Sequence, residues 1–374
     1  MYCFSRLAVA LAVLLPLNVL AAQDWPIFRG DSALCGVRTE PLPMAFELRW
    51  TFKTGGAIKS SAALVGGTVF IGSTDSNVYA LAADTGAKRW SFKADDGMEA
   101  SPLVLDGRVY IGGTDGCLYA LDAATGALKW KYKTEDKILG SANGFCVGDP
   151  PAWRVVVGSY DCKVHCVDAG SGKPVWTFET ANYVNGTPAM AAGQMVFGGC
   201  DGKLHVVDAV SGHERAAVEV GAYIAGSAAV SGARVFAGDY GNEVLCMDLA
   251  TSKIIWRSRG RNAPFFSSPA VTDSRVLIGG RDKRLHCLDR ATGKTIWLFA
   301  TQGDVDGSPV VCGDKVIFGS ADGRLYLLSL TTGKQLWSYE IGKELSTAPA
   351  VVGGWVVIGA EDGVVYAFGP EKER

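Results

Sequence analysis

Three histidines in matching surroundings, ten cysteines and a regular series of aspartates are the residues of this chain whose types could do chemistry. His165, His205 and His286 raise the question of a metal centre, because imidazole is the commonest metal ligand. They stand in KVHCVD, KLHVVD and RLHCLD, at the place where sibling segments carry Tyr79, Tyr119, Tyr326 and Tyr366. Equivalent places in a repeat are spread apart in space, so these three cannot converge on one ion. The fourth histidine, His213, falls in a surface turn. Cys166, Cys246 and Cys287 share the place of Ala80 and Ala120 and read as small apolar groups. Cys162 and Cys166 have a ligand-like spacing, but one lies in a turn and the other on an extended strand. About 13 Å of strand separates them, too far to bridge or chelate. Asp75, Asp115, Asp161, Asp201, Asp282, Asp322 and Asp362 each open a turn, where Asp hydrogen-bonds local backbone, and Gly241 takes that place once.

These residues are positioned by a repeat, and tryptophans are its ruler. Trp50, Trp90, Trp130, Trp176, Trp256, Trp297 and Trp337 recur at spacings near 40, with Ala216 where an eighth is expected. A Thr-Gly or Ser-Gly turn precedes most of them, as in TGALKW at 125–130. Upstream lies a β-rich hairpin with an Asp-Gly turn, as in VYIGGTDGCLYALD at 109–122, and eight such segments can be counted. Each unit carries four strand signals: a small Ser-Pro-rich strand, an apolar strand, the LYALD-type strand and the tryptophan strand. After residue 22 no segment sustains a helical period. Four strands every forty residues predict an all-β fold, an eight-bladed β-propeller of four-stranded antiparallel blades over 46–369. The repeat part opens on a lone tryptophan strand at 46–54 and ends on a lone LYALD-type strand at 364–369. The N-terminal strand is therefore expected to complete the last blade, which removes the free edge.

Outside the repeat, residues 1–22 read as a signal peptide, with Arg6, an apolar run from Leu7 to Leu20 and small residues Ala21 and Ala22. That run is too short for a convincing membrane span, so no transmembrane segment is expected after cleavage. Residues 23–45 are an N-terminal extended segment and 370–374 a C-terminal tail. The chain is expected to be exported, to a periplasmic or extracellular place. Nine cysteines remain after cleavage, an odd number, so at least one is free or pairs between chains. A formal net charge of −2 gives no global field for nucleic acid.

The motif ALD-x-x-TG-x-x-x-W, as in Ala120 to Trp130, resembles the tryptophan-docking repeat of the pyrroloquinoline-quinone (PQQ) propeller superfamily. DWPIFRGD at 24–31 resembles the start of many secreted members. The resemblance covers nearly the whole mature chain and implies that the tryptophans pack between blades. It also implies one of two functional classes: quinoprotein dehydrogenases, which bind PQQ and calcium, or non-enzymatic scaffolds of the BamB type, which assist outer-membrane protein assembly. The dehydrogenases carry adjacent cysteines over the quinone and long insertions that build the pocket. Here no Cys-Cys pair occurs, every tryptophan spacing lies between 40 and 46, and no CxxCH haem site is present. No lipid-attachment cysteine follows the leader either, which departs from BamB.

Departures from the repeat are where function is expected. One position, three residues before the Pro or Ala of each first strand, varies inside a uniform frame: Lys59, Glu99, Leu139, Asn185, Ala225, Phe266, Asp306 and Ser346. Such a position predicts a rim around the central channel, with Lys59, Glu99, Asn185 and Asp306 its polar members. The loop SRGRNAPFFS at 258–267 adds Arg259, Arg261, Phe265 and Phe266, within a stretch, 257–296, of nine Lys/Arg and three Asp. Arginine beside exposed aromatics is the composition of an interface anchor. Tyr160, Tyr240 and Arg281 precede the hairpin turns of the same face. An insertion, GDPPAW at 148–153, lengthens a turn on the opposite face. The sequence thus points to a monomeric, non-catalytic scaffold for a protein partner in the cell envelope, with no cofactor or metal. The candidate binding face holds Lys59, Glu99, Asn185, Arg259, Arg261, Phe266, Arg281 and Asp306. A PQQ- and calcium-dependent dehydrogenase and a glycan- or small-ligand-binding propeller are the alternatives.

Overall fold

The computed structural model describes residues 24–371; the leader read at 1–22 lies outside them. The chain forms eight antiparallel four-stranded sheets in sequence around a ring. In the first blade the strands are Ala63–Val65, Thr68–Gly72, Asn77–Ala82 and Lys88–Lys93, running from the axis outward. The eighth blade holds Ala350–Val352, Trp355–Gly359 and Val364–Pro370, and its outer strand is Phe46–Lys53 from the other end of the chain. The register Thr51↔Tyr366 and Lys53↔Val364 closes the ring as the two lone strand signals predict. The middle strands are mostly apolar and buried along their length, whereas the outer strands alternate. The core is therefore a set of inter-blade layers.

The turn aspartates do the local work expected of them. Asp75 Oδ1 accepts the Asn77 N–H at 2.9 Å, and Asp115 and Asp322 repeat the bond. Their second oxygens take the hydroxyl of the tyrosine four residues on, at 2.7 Å for Tyr79 and 2.8 Å for Tyr326. In three blades histidine replaces that tyrosine: Nε2 of His165, His205 and His286 meets Asp161, Asp201 and Asp282 at 2.9, 2.8 and 3.0 Å. Each histidine thus meets its own blade's aspartate, and His165 Nδ1 also meets the Tyr132 hydroxyl of the preceding blade at 3.0 Å. The fifth blade lacks both members, with Gly241 and Leu245 in their places. There Asp239, two residues upstream, accepts the Glu243 N–H at 2.8 Å instead. Burial raises its pKa.

Blades lock through tryptophan. A bulge just before each tryptophan re-aims it toward the next blade. The Trp90 indole N–H donates to the Ala123 carbonyl at 3.0 Å, and Trp50, Trp130, Trp176, Trp256 and Trp297 repeat this. The ring lies flat on the turn glycine of that next blade. A methyl on Gly126, which has φ +74°, would come 2.7 Å from Trp90, so only glycine fits beneath the indole. Trp337 instead packs edge-on against Phe46 and Phe368, at the seam where the chain ends meet. The fourth blade offers Ala216, and the fifth has Ser252 where the others have glycine. Ala216 and Ile254 pack there against the cluster that holds Met247 and Leu249.

The segment read as an extension lies inside the ring. Between Trp25 and Arg38 it runs past the inner strands of seven blades. The carbonyls of Trp25, Pro26, Ser32, Ala33, Cys35 and Gly36 accept the N–H groups of Leu64, Val104, Met190, Val230, Val271 and Val311 at 2.7–3.0 Å. Val37 and Arg38 add a parallel strand to the seventh blade. Inner-strand edges face the axis and need partners once buried; this plug supplies them. Trp25, Ile27, Leu34 and Leu42 are buried in it. Arg29 is buried too, and burial lowers its pKa to about 10 against the opposing pull of Asp31.

Candidate functional site

The loops entering the inner strands and the hairpins between the middle strands share one face, and the axis opens there as a funnel of about 190 Å³. All eight residues of the variable position line it, so the rim read from the sequence is the funnel wall. Below them runs a belt of hydroxyls. Backbone N–H groups of Ser61, Thr187, Ser227 and Ser268 donate to the hydroxyls of Ser101, Ser227, Ser268 and Ser308 in the next blade, at 2.8–2.9 Å. Phe28 of the plug lines the same funnel beneath the rim.

The wall's charges are matched in pairs. Lys59 Nζ lies 3.3 Å from Glu99. Arg281 forks onto Asp306, with Nε–Oδ1 at 3.1 Å and Nη2–Oδ2 at 2.7 Å, and its guanidinium lies 3.8 Å over the Phe266 ring. Asn185 Nδ2 reaches Cys200 Sγ at 3.8 Å, and its Oδ1 is buried with no protein donor.

From Phe266 the face continues as an aromatic arc over the third to sixth blades. Tyr240 meets Phe266 edge-on at 5.7 Å, and Tyr223 lies 6.3 Å from Tyr240. Tyr160 and Tyr183 stack at 4.7 Å and 19°, and the Lys137 ammonium sits 4.4 Å over Tyr160. Tyr183, Tyr223 and Tyr240 are 43, 52 and 53% exposed, a large amount of aromatic surface left to water. The seventh and eighth blades oppose this arc with Asp304, Asp306, Glu344 and Glu361. Glu344 is held above its ordinary pKa by burial and then by the neighbouring carboxylates, Glu361 first.

Of the candidate face, the structure brings together Lys59, Glu99, Asn185, Phe266, Arg281 and Asp306. It sends Arg259 and Arg261 elsewhere, into a cleft between the fifth and sixth blades. Phe265 is buried beneath that loop, as its frame position implies. Sequence reading missed Tyr183 and Tyr223. They occupy the position two residues before the rim, whose carbonyl accepts the N–H of the hairpin residue: Cys200 onto Tyr183 and Tyr240 onto Tyr223. That position varies as freely as the rim, and this was the signal. The insertion leaves Trp153 beside Phe145 and Met190 on the opposite face.

The residues of the funnel do not fit PQQ and calcium. Glu99 and Asp306 are engaged by Lys59 and Arg281, and no group of three or more His, Cys, Asp or Glu among the described residues converges for a metal. A volume near 190 Å³ also falls below the several hundred that a cofactor-sized ligand takes.

A closed ring of eight four-stranded blades, six of its junctions docked by tryptophan, with a one-sided funnel is a propeller of the PQQ-repeat class. The family model described as outer membrane protein assembly factor BamB matches residues 47–153, 147–219, 200–285 and 281–372, and the chain belongs to this family. Among solved structures, BamB from Moraxella catarrhalis is similar at 21% identity and TM-score 0.74, covering 88% of this chain and 99% of that one. The computationally designed Ika8 protein is similar at 20% identity and TM-score 0.76, over 87% of this chain and 99% of its own. Quinohemoprotein alcohol dehydrogenase from Comamonas testosteroni is similar at 16% identity and TM-score 0.81, over 94% and 81%. Likeness at these identities is likeness of fold, shared by proteins with different work. A comparison with curated protein sequences gives no significant match.

Proposed function

We propose that this chain is an exported, non-catalytic scaffold that holds a protein partner against the funnel mouth. The observation that carries the reading is the aromatic arc, with three half-exposed tyrosines and an Arg281–Phe266 stack on rigid blade ends. Tyrosine and arginine are enriched among the residues that anchor protein interfaces, tyrosine because it buries large area with little loss of rotamer freedom and arginine because its planar fork both bonds and stacks. The acidic sector of the seventh and eighth blades adds a charged margin that fixes orientation and speeds encounter. The family description points the same way, and an envelope partner agrees with the leader read at 1–22. No helix among the described residues is long and apolar enough to cross a membrane.

The test is affinity capture from a cell-envelope extract. Tyr183→Ala/Tyr240→Ala/Phe266→Ala is expected to lose a partner that the wild type and a Trp153→Ala control on the opposite face both retain. Retention by the triple variant would move the interface off this face. Dye-linked alcohol oxidation in the presence of added PQQ and Ca²⁺ would overturn the non-catalytic reading itself.

A further inference from the structure

Cross-strand charge pairs stud the blades where the third strand begins. Lys203 stands opposite Glu219 in the fourth blade and bonds it at 3.3 Å. Arg324 stands opposite Glu340 in the seventh and bonds it at 2.6 Å. In the sixth blade the basic member, Arg284, is present, but Ala300 stands opposite it where the carboxylate belongs. In the fifth blade the order is reversed, Glu243 opposite Arg259. That glutamate is taken by Arg257 at 2.9 Å. Arg259 and Arg284 therefore both lack a carboxylate among the described residues, and both line the cleft between these two blades. Arg261, from the loop that follows Arg259, lines it as well.

The cleft has a volume of about 160 Å³, several waters' worth at roughly 30 Å³ each. Ser258 and Thr295 add hydroxyls to its wall, and Phe265, Leu288 and Leu298 add apolar surface. The single carboxylate on the lining is Asp282. Its Oδ1 meets His286 at 3.0 Å, its Oδ2 is buried without a donor, and none of the three guanidiniums bonds it. Three guanidiniums on the lining of so small a space favour a compact, multiply charged oxyanion, which can accept N–H bonds from each.

We infer that the cleft between the fifth and sixth blades is a phosphate-type oxyanion site held by Arg259, Arg261 and Arg284. It is separate from the funnel mouth and does not depend on the reading given to that face. The phosphate can belong to a soluble ion or to a lipid headgroup, and the same three forks serve either.

The experiment is titration of the full-length protein with inorganic phosphate at fixed ionic strength, followed by calorimetry. Saturable binding that chloride does not reproduce is expected. Ala300→Glu is the deciding variant. It restores the pair found in the fourth and seventh blades, so it should fold normally while it occupies Arg284, and phosphate affinity should fall at least about tenfold. Arg259→Ala/Arg261→Ala, both exposed and remote from the core, should weaken binding comparably. Co-sedimentation with vesicles of phosphatidylcholine alone or with added phosphatidylglycerol identifies the source. Binding to the anionic vesicles that Ala300→Glu abolishes assigns a lipid phosphate, and phosphate binding without vesicle binding assigns a soluble one. Absence of saturable phosphate binding, or equal affinity in wild type and Ala300→Glu, overturns the site.

Discussion

Six of the eight junctions between blades close by a tryptophan laid on a glycine, and the fourth-to-fifth closes by an alanine facing a serine. Both partners change at that junction. Where the indole is present, a β-carbon beneath it would sit 2.5–2.7 Å from the ring, so glycine is required. Where Ala216 replaces the indole, Ser252 holds the same turn at φ 55° with its side chain in place. The difference teaches that the glycine answers to the tryptophan more than to the turn. A left-handed backbone is tolerable to serine at modest cost; a ring-to-methyl overlap is not.

The comparison breaks most visibly if a docked tryptophan is removed. Trp256→Ala should lose roughly 3–5 kcal/mol in urea unfolding, the usual range for a buried indole. A smaller loss than that of Ala216→Gly would mean the indoles do not hold the ring. Adding the methyl beneath an intact ring is the next test. Gly126→Ala should cost roughly 1–3 kcal/mol through overpacking, whereas Ser252→Gly should change stability by less than about 1 kcal/mol. Rebuilding the missing lock sharpens the point. Ala216→Trp alone should gain nothing, and Ala216→Trp/Ser252→Gly should be more stable than the two single changes sum to, by about 0.5–3 kcal/mol. Additivity within about 0.5 kcal/mol would show the two positions to be independent.

The smallest effect concerns the hairpin pairs that seven blades possess and the fifth lacks. His165 is 5% exposed, and burial lowers its pKa despite Asp161 beside it. The unfolded ring titrates near 6.5, so at lower pH the unfolded chain binds the proton first. Stability is then fully present above about pH 6.5 and is lost as pH falls below it toward the depressed native value. His165→Tyr, which copies Tyr119, should flatten this part of the pH–stability curve. A midpoint of unfolding in urea with the same pH slope in both proteins would refute it.

Most of the ring was legible because tryptophan, glycine and aspartate each meet a requirement that returns every forty residues. The rim was legible for the opposite reason: a free position inside a constrained frame shows that structure asks little of it. Tyr183 and Tyr223 escaped because their position contributes only a carbonyl, which any residue supplies, so its free variation is the one mark it carries. Arg259 and Arg261 line the cleft between the fifth and sixth blades and not the funnel wall. Asp239 was missed because it does the turn aspartate's work from two residues upstream. The plug was missed because residues 24–38 carry no period of their own; their bonds use backbone carbonyls, to which side-chain type is indifferent.

That plug bears on how the ring can form at all. Its carbonyls meet amides from Leu64 to Val311, and the strand that follows it pairs with residues up to Pro370. This stretch is made before all of these partners and waits for them across about three hundred residues. Such long loops are entropically costly to close before their contacts repay them. Blades can assemble one after another, but the axis and the seam must close together. Final closure should therefore be a slow, concerted step, and a nascent ring short of its last blade would hold the plug and the strand after it without their full set of bonds.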